Sequence, residues 1–151
     1  MIEINENMKK LIESNKNINY NIEKLNDKVN KFIIGTKLIK NGVILDFNNE
    51  LNESNINVER ILRINKDWTG YESNCNEVEI DYSDVPLNYI EKFANTLCDE
   101  LKKKYEGRKF CIIIIADEKI NVRFHTYRKE EGMWLSEDIN QYDEPILLLV
   151  K

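Results

Sequence analysis

Phe110-Cys111-Ile112-Ile113-Ile114-Ile115-Ala116, then Asp117-Glu118-Lys119, then Ile120-Asn121-Val122-Arg123-Phe124-His125-Thr126-Tyr127 is the stretch that decides the fold. The first run is apolar at every position, so the strand it predicts is buried on both faces, with a helix over one and more protein over the other. The charged triplet turns the chain. The returning run alternates, with Ile120, Val122, Phe124 and Thr126 on one face and Asn121, Arg123, His125 and Tyr127 on the other. An antiparallel pair at the centre of a sheet follows, one of its faces half polar.

Working outward, a polar loop from Arg128 to Met133 leads to Trp134-Leu135. Ser136 is placed to cap a short turn through Asp138 to Tyr142, and Pro145 opens a last strand, Ile146 to Val150. Upstream, Leu87, Ile90, Ala94, Leu97, Leu101 and Tyr105 form the apolar stripe of a helix. Ser83 or Asp84 is its expected cap, Pro86 suits its first turn, Lys102 to Lys104 suit its C-terminal end and Gly107 stops it. Before it, Glu77-Val78-Glu79-Ile80-Asp81-Tyr82 alternates strictly, which buries Val78, Ile80 and Tyr82 and presents Glu77, Glu79 and Asp81 together. Two β-prone runs, Thr36 to Ile39 and Val43 to Phe47, flank Asn41-Gly42 and predict a hairpin turning at that pair. The Asn-rich stretch 48–57 reads as a loop, and Val58, Ile61 and Leu62 as a short helix before Trp68.

At the N-terminus, Ile4, Met8, Leu11, Asn15, Ile18, Ile22, Leu25, Val29 and Phe32 recur at alternating steps of four and three. Asn-rich residues 15–21 are poor helix formers, so one long helix or a pair both fit. The stripe either lies over its own domain's sheet or pairs two chains, with Asn15 setting register. The fold class expected is α+β: an antiparallel sheet of four to six strands, helices packed on one face, and an N-terminal helical extension. No linker or repeat divides the chain, so 1–151 is one domain, with a helical region 1–33 and a sheet-containing core 36–151.

With 151 residues, 42% hydrophobic and 32% charged, the chain has ordinary globular composition and enough length for a sizeable core. No apolar run approaches the ~20 residues of a membrane span, and acid near Met1 replaces the basic start of a secretory signal. A cytoplasmic protein with no membrane association is expected. A net charge of −5 argues against nucleic-acid binding and for a basic partner.

Chemistry is sparse. The glycines at 35, 42, 70, 107 and 132 are too scattered for a phosphate loop. One histidine, His125, and three unpaired cysteines, Cys75, Cys98 and Cys111, lack metal-ligand spacing. Neither cofactor nor metal is expected. His125 is expected to hydrogen-bond on a half-exposed sheet face, and no acid pair has a spacing that marks an active site. What remains is surface: the acidic stripe Glu77, Glu79 and Asp81, with Glu130, Glu131, Glu137, Asp138, Asp143 and Glu144 converging on it if the last strands lie near the first. Arg123, His125, Tyr127, Trp134 and Tyr142 supply basic and aromatic neighbours of the kind interfaces use.

The segments Val122-Arg123-Phe124-His125-Thr126-Tyr127-Arg128-Lys129-Glu130-Glu131, Trp134-Leu135-Ser136-Glu137-Asp138-Ile139 and Tyr142-Asp143-Glu144-Pro145-Ile146-Leu147 carry Arg-x-x-Glu, Trp-Leu and Tyr-x-x-Pro elements. This ending resembles that of small bacterial immunity proteins, the antitoxins of contact-dependent and other polymorphic toxin systems. The resemblance covers about the last 30 residues. It implies a non-enzymatic cytoplasmic inhibitor that covers the active site of one toxin domain, often a nuclease with a basic groove. Without it, the N-terminal seam offers a self-associating structural or adaptor protein, a homodimer through residues 4–32. An enzyme using His125 or a carboxylate pair is the third alternative.

Overall fold

In the computed structural model, which describes residues 1–151, the chain runs β1 (Ile2–Ile4), α1 (Glu6–Ser14), α2 (Ile22–Gly35), β2 (Thr36–Ile39), β3 (Gly42–Leu45), α3 (Val58–Asn65), α4 (Trp68–Cys75), β4 (Glu77–Ile80), α5 (Ile90–Lys104), β5 (Phe110–Ala116), β6 (Ile120–Thr126) and β7 (Ile146–Val150). The fold is α+β. Five strands form an antiparallel sheet in the order β1-β7-β5-β6-β4, and β2 and β3 form a separate hairpin. No helix is long and apolar enough to cross a membrane.

β5 is the central strand, and its two apolar faces are used as expected. Ile112 stands opposite Phe124 and Leu149, and this side, with Ile114, Val122 and Leu147, packs under α1, α2 and α5. The helices contribute Met8, Leu25, Val29, Phe32, Phe93, Ala94, Leu97 and Leu101. Each fully buried Leu or Phe there contributes about 1.5–3 kcal/mol of transfer free energy. On the other side Cys111, Ile113, Ile146 and Leu148 are covered by Leu135 and Ile139 from the segment before β7.

The N-terminal stripe is divided. Asn15 ends α1, its Nδ2 donating to Leu11 O at 2.7 Å, and Asn21 caps α2 by accepting from Glu23 N at 2.9 Å. Ile4 lies in β1, not on a helix, and Ile18 is exposed in the connection. Met8, Leu25, Val29 and Phe32 are buried within their own chain, so this region is a layer of the core more than an extension. Buried Asn5 secures it: Oδ1 accepts from Met8 N and Ile146 N, and Nδ2 donates to Ile139 O and Glu144 O.

Three local expectations are corrected. The β2–β3 turn is centred on Lys40-Asn41, with Lys40 at φ 54°, one residue before the Asn-Gly pair. Gly42 serves packing instead, since a Cβ there would lie 3.2 Å from the Trp68 ring. The stripe helix is entered through a 3₁₀ turn, Leu87–Tyr89, without a side-chain cap, because the Asp84 carboxylate accepts from Asp81 N at 3.0 Å. Asp138, not Ser136, caps the turn Ile139–Gln141.

α4 is an element that periodicity does not predict, because beside Trp68 its buried side is polar: Thr69, Glu72 and Ser73, with Asn76 just beyond. Its side chains tie the hairpin to the sheet. Glu72 Oε1 accepts from Val43 N at 2.7 Å and Thr126 Oγ1 at 3.0 Å, and Oε2 accepts from Thr126 N at 2.6 Å. Arg128 donates to both oxygens, at 3.0 and 3.1 Å. One turn on, Asn76 accepts from Leu45 N and donates to Val43 O and Phe124 O. A helix thus supplies through side chains what a further strand would supply through its backbone.

Candidate functional site

The segment covering the second face of the sheet stops short of β4, so the face lies open beyond Ile115 and Asn121. A groove of about 610 Å³ occupies this opening, lined by Glu77, Glu79, Ile115, Asp117, Glu118, Lys119, Asn121, Arg123 and Glu144. The alternation of β4 puts Glu77 opposite Arg123 and Glu79 opposite Asn121, on the face away from the helices. Asp117 and Glu118 come from the β5–β6 turn, and Glu144 is brought to the same end because Ala116 N donates to Pro145 O. Five carboxylates face two cations in this lining.

Arg123 is only 8% exposed and closes one end of the groove. Its Nη1 donates to Ser73 O at 2.8 Å, its Nη2 pairs with Glu77 Oε2 at 2.7 Å, and Nε has no partner. The Trp134 ring lies 4.1 Å from the guanidinium carbon and is itself 41% exposed. Stacking of this kind fixes both groups, and Trp and Arg are among the residues enriched at the energetic centre of interfaces. Beyond Trp134 a second hollow is lined by Ile64, Lys66, Asp67, Thr69, Glu131 and Met133 among others, and Ile64 is 67% exposed. Apolar anchors therefore adjoin the acidic groove along one surface.

His125 is not on a half-exposed face: it is fully buried. Its Nδ1 lies 2.8 Å from Thr126 O, and its Nε2 accepts from Trp134 N at 3.4 Å, which describes a neutral ring protonated on Nδ1. Burial lowers its pKa. The residue acts from beneath, setting the backbone from which Trp134 projects. Burial also raises the thiols, Cys98 to about 11 and Cys111 to about 12, which keeps both protonated at neutral pH.

The other sequence candidates disperse. Asp81 lies past the end of β4, its carboxylate 3.7 Å from Lys119. Glu131 accepts from Thr69 N at 2.7 Å, at the start of α4. Glu130 is exposed outside the groove, and Tyr127 is half-buried. Asp138 is committed to its cap, and Tyr142 packs beneath the covering segment, its hydroxyl accepting from Ser136 N at 3.4 Å. Convergence of the late acids on β4 is limited to Glu144, because β7 lies across β5 from β6 and β4. Asp117 and Glu118, read in sequence only as a turn, take the places expected of the others.

A profile of the Uncharacterized protein PM0498 family matches residues 3–150. No curated protein and no solved structure matches the chain.

Proposed function

We propose that this chain, which belongs to the Uncharacterized protein PM0498 family, is a stoichiometric binding protein that covers a basic surface of a protein partner. The observation that carries this reading is the exposed Trp134 stacked on Arg123 at the head of an acid-lined groove. Trp134 is the anchor a partner would bury, and the carboxylates of Glu77, Glu79, Asp117, Glu118 and Glu144 steer and orient a positive surface. The resemblance of the C-terminal segments to immunity proteins makes a secreted toxin domain, such as a nuclease with a cationic groove, the partner class we favour. Inhibition then follows by occlusion, with no reaction carried out by this chain, and the cytoplasm is where such an inhibitor acts.

Affinity capture from native lysate at low and high salt, quantified by mass spectrometry, tests the proposal. The expected result is one basic protein at equimolar recovery, depleted by high salt and by Glu77→Lys with Glu79→Lys. Recovery of the same proteins by wild type and variant would reject the face.

A further inference from the structure

β4 is the last strand of its sheet, with β6 on one side and no strand on the other. Its phase is set by Asn76, whose carbonyl accepts from Phe124 N at 3.3 Å. With Val78 opposite Val122 and Ile80 opposite Ile120, the N–H and C=O groups of Val78 and Ile80 turn toward β6, and those of Glu77 and Glu79 turn outward. The outward run ends at Asp81, whose N–H is taken by Asp84. Above this edge the side chains of Glu77 and Glu79 stand over the groove, while half-buried Val78 packs toward the helices. In the groove wall Arg123 keeps a buried Nε–H without an acceptor.

We propose that the partner docks by laying an extended segment along β4, bonded to the backbone of Glu77 and Glu79, with Lys or Arg at alternate positions reaching the groove. This rests on the protein-binding reading above and specifies how the partner is held. A strand added beside β4 places every second side chain on the groove face and the intervening ones beside Val78, so the sequence recognised alternates basic and apolar residues. Charge decides which strands are admitted. The groove offers Glu77, Glu79, Asp117, Glu118 and Glu144, and of its two cations Arg123 is already held by Glu77. A second copy of β4 would set glutamate against glutamate, so the same acids that attract a basic strand prevent self-pairing at this edge.

The test uses the full chain, isotope-labelled, titrated at low salt with a capped Lys-Val repeat of about eight residues, a typical strand length or slightly more. A Glu-Val repeat and a Lys-Val repeat N-methylated at alternate amides are the controls. At saturation the Lys-Val peptide slows amide exchange of Glu77 and Glu79 about tenfold or more, and the controls leave it unchanged. Glu79→Pro removes an outward N–H at an edge position that tolerates proline, and it abolishes peptide binding; Glu79→Gln only weakens it. If the proline variant does not fold, the N-methylated peptide makes the same comparison. Binding without protection of Glu77 and Glu79 overturns edge docking while leaving the acidic face as a partner site. Absence of binding up to about 10 mM peptide, the limit of weak association that can be followed, overturns it as well.

Discussion

Glu72 is a fully buried carboxylate, and both its oxygens are occupied by donors from β3, β6 and Arg128. Removing one partner of a buried pair leaves the other charge unpaired, so Glu72→Ala should cost about 3–5 kcal/mol, read as a fall in the urea midpoint. A loss under about 1 kcal/mol, the scale of an exposed pair, would mean that the hairpin does not depend on this clasp. His125 gives a pH dependence. Burial lowers its pKa below the ordinary imidazole value of about 6.5, so the unfolded chain takes up the proton more readily. Its contribution is complete above about pH 6.5 and is lost as pH falls toward the folded-state pKa. Denaturation at about pH 7.5 and about pH 5 should show this loss, and His125→Gln should reduce the difference between the two. Neither residue announces its role in the sequence. Glu72 sits among Tyr71, Ser73 and Asn74 like any surface glutamate, and His125 alternates with Asn121 and Arg123 as if solvated. Only the covering segment 133–142 and the arrival of β3 make them interior.

The elements written in apolar periodicity are the ones the sequence displays: the stripe of α5, the continuous run of β5 and the alternation of β4 and β6. α4 is hidden because polar side chains make its buried contacts. Its approach to α3 is close enough to be tested. A Cβ on Gly70 would fall 2.2 Å from Asn65 O, a backbone atom that cannot swing away. Gly70→Ala should therefore destabilise the protein by about 1–3 kcal/mol through overpacking, and a neutral result would show that the α3–α4 junction yields. In the same junction Lys66 holds φ 74° and ψ −51°, a conformation costly for a side-chain-bearing residue. Lys66→Gly should raise the urea midpoint, by an amount equivalent to about 0.5–1 kcal/mol. The hairpin carries the complementary lesson: Asn41-Gly42 looks like its turn, but the Trp68 ring claims the space at Gly42, a contact made at long range.

At the scale of the molecule, one face of the sheet is spent on the helices and the other is covered except along β4 and the Asn121 end of β6. The sequence shows Glu77 and Glu79 sharing a face, and it shows Trp134 and Arg123 as candidates. It does not show that Asp117, Glu118 and Glu144 join them, because the first two depend on β4 pairing with β6 beside the β5–β6 turn and the third on β7 pairing with β5. Five carboxylates against two cations are thereby gathered where the sheet is open. Partner binding on this face is best tested from Glu118 in the groove, where the Trp134 anchor stays in place. A photo-crosslinking amino acid placed at Glu118 in living native cells, with Lys103 on the exposed side of α5 as the comparison site, reports what each face touches. One basic protein joined at position 118 and none at position 103 is expected; no adduct at 118, or the same adducts at both, would rule out the acidic face as the partner site.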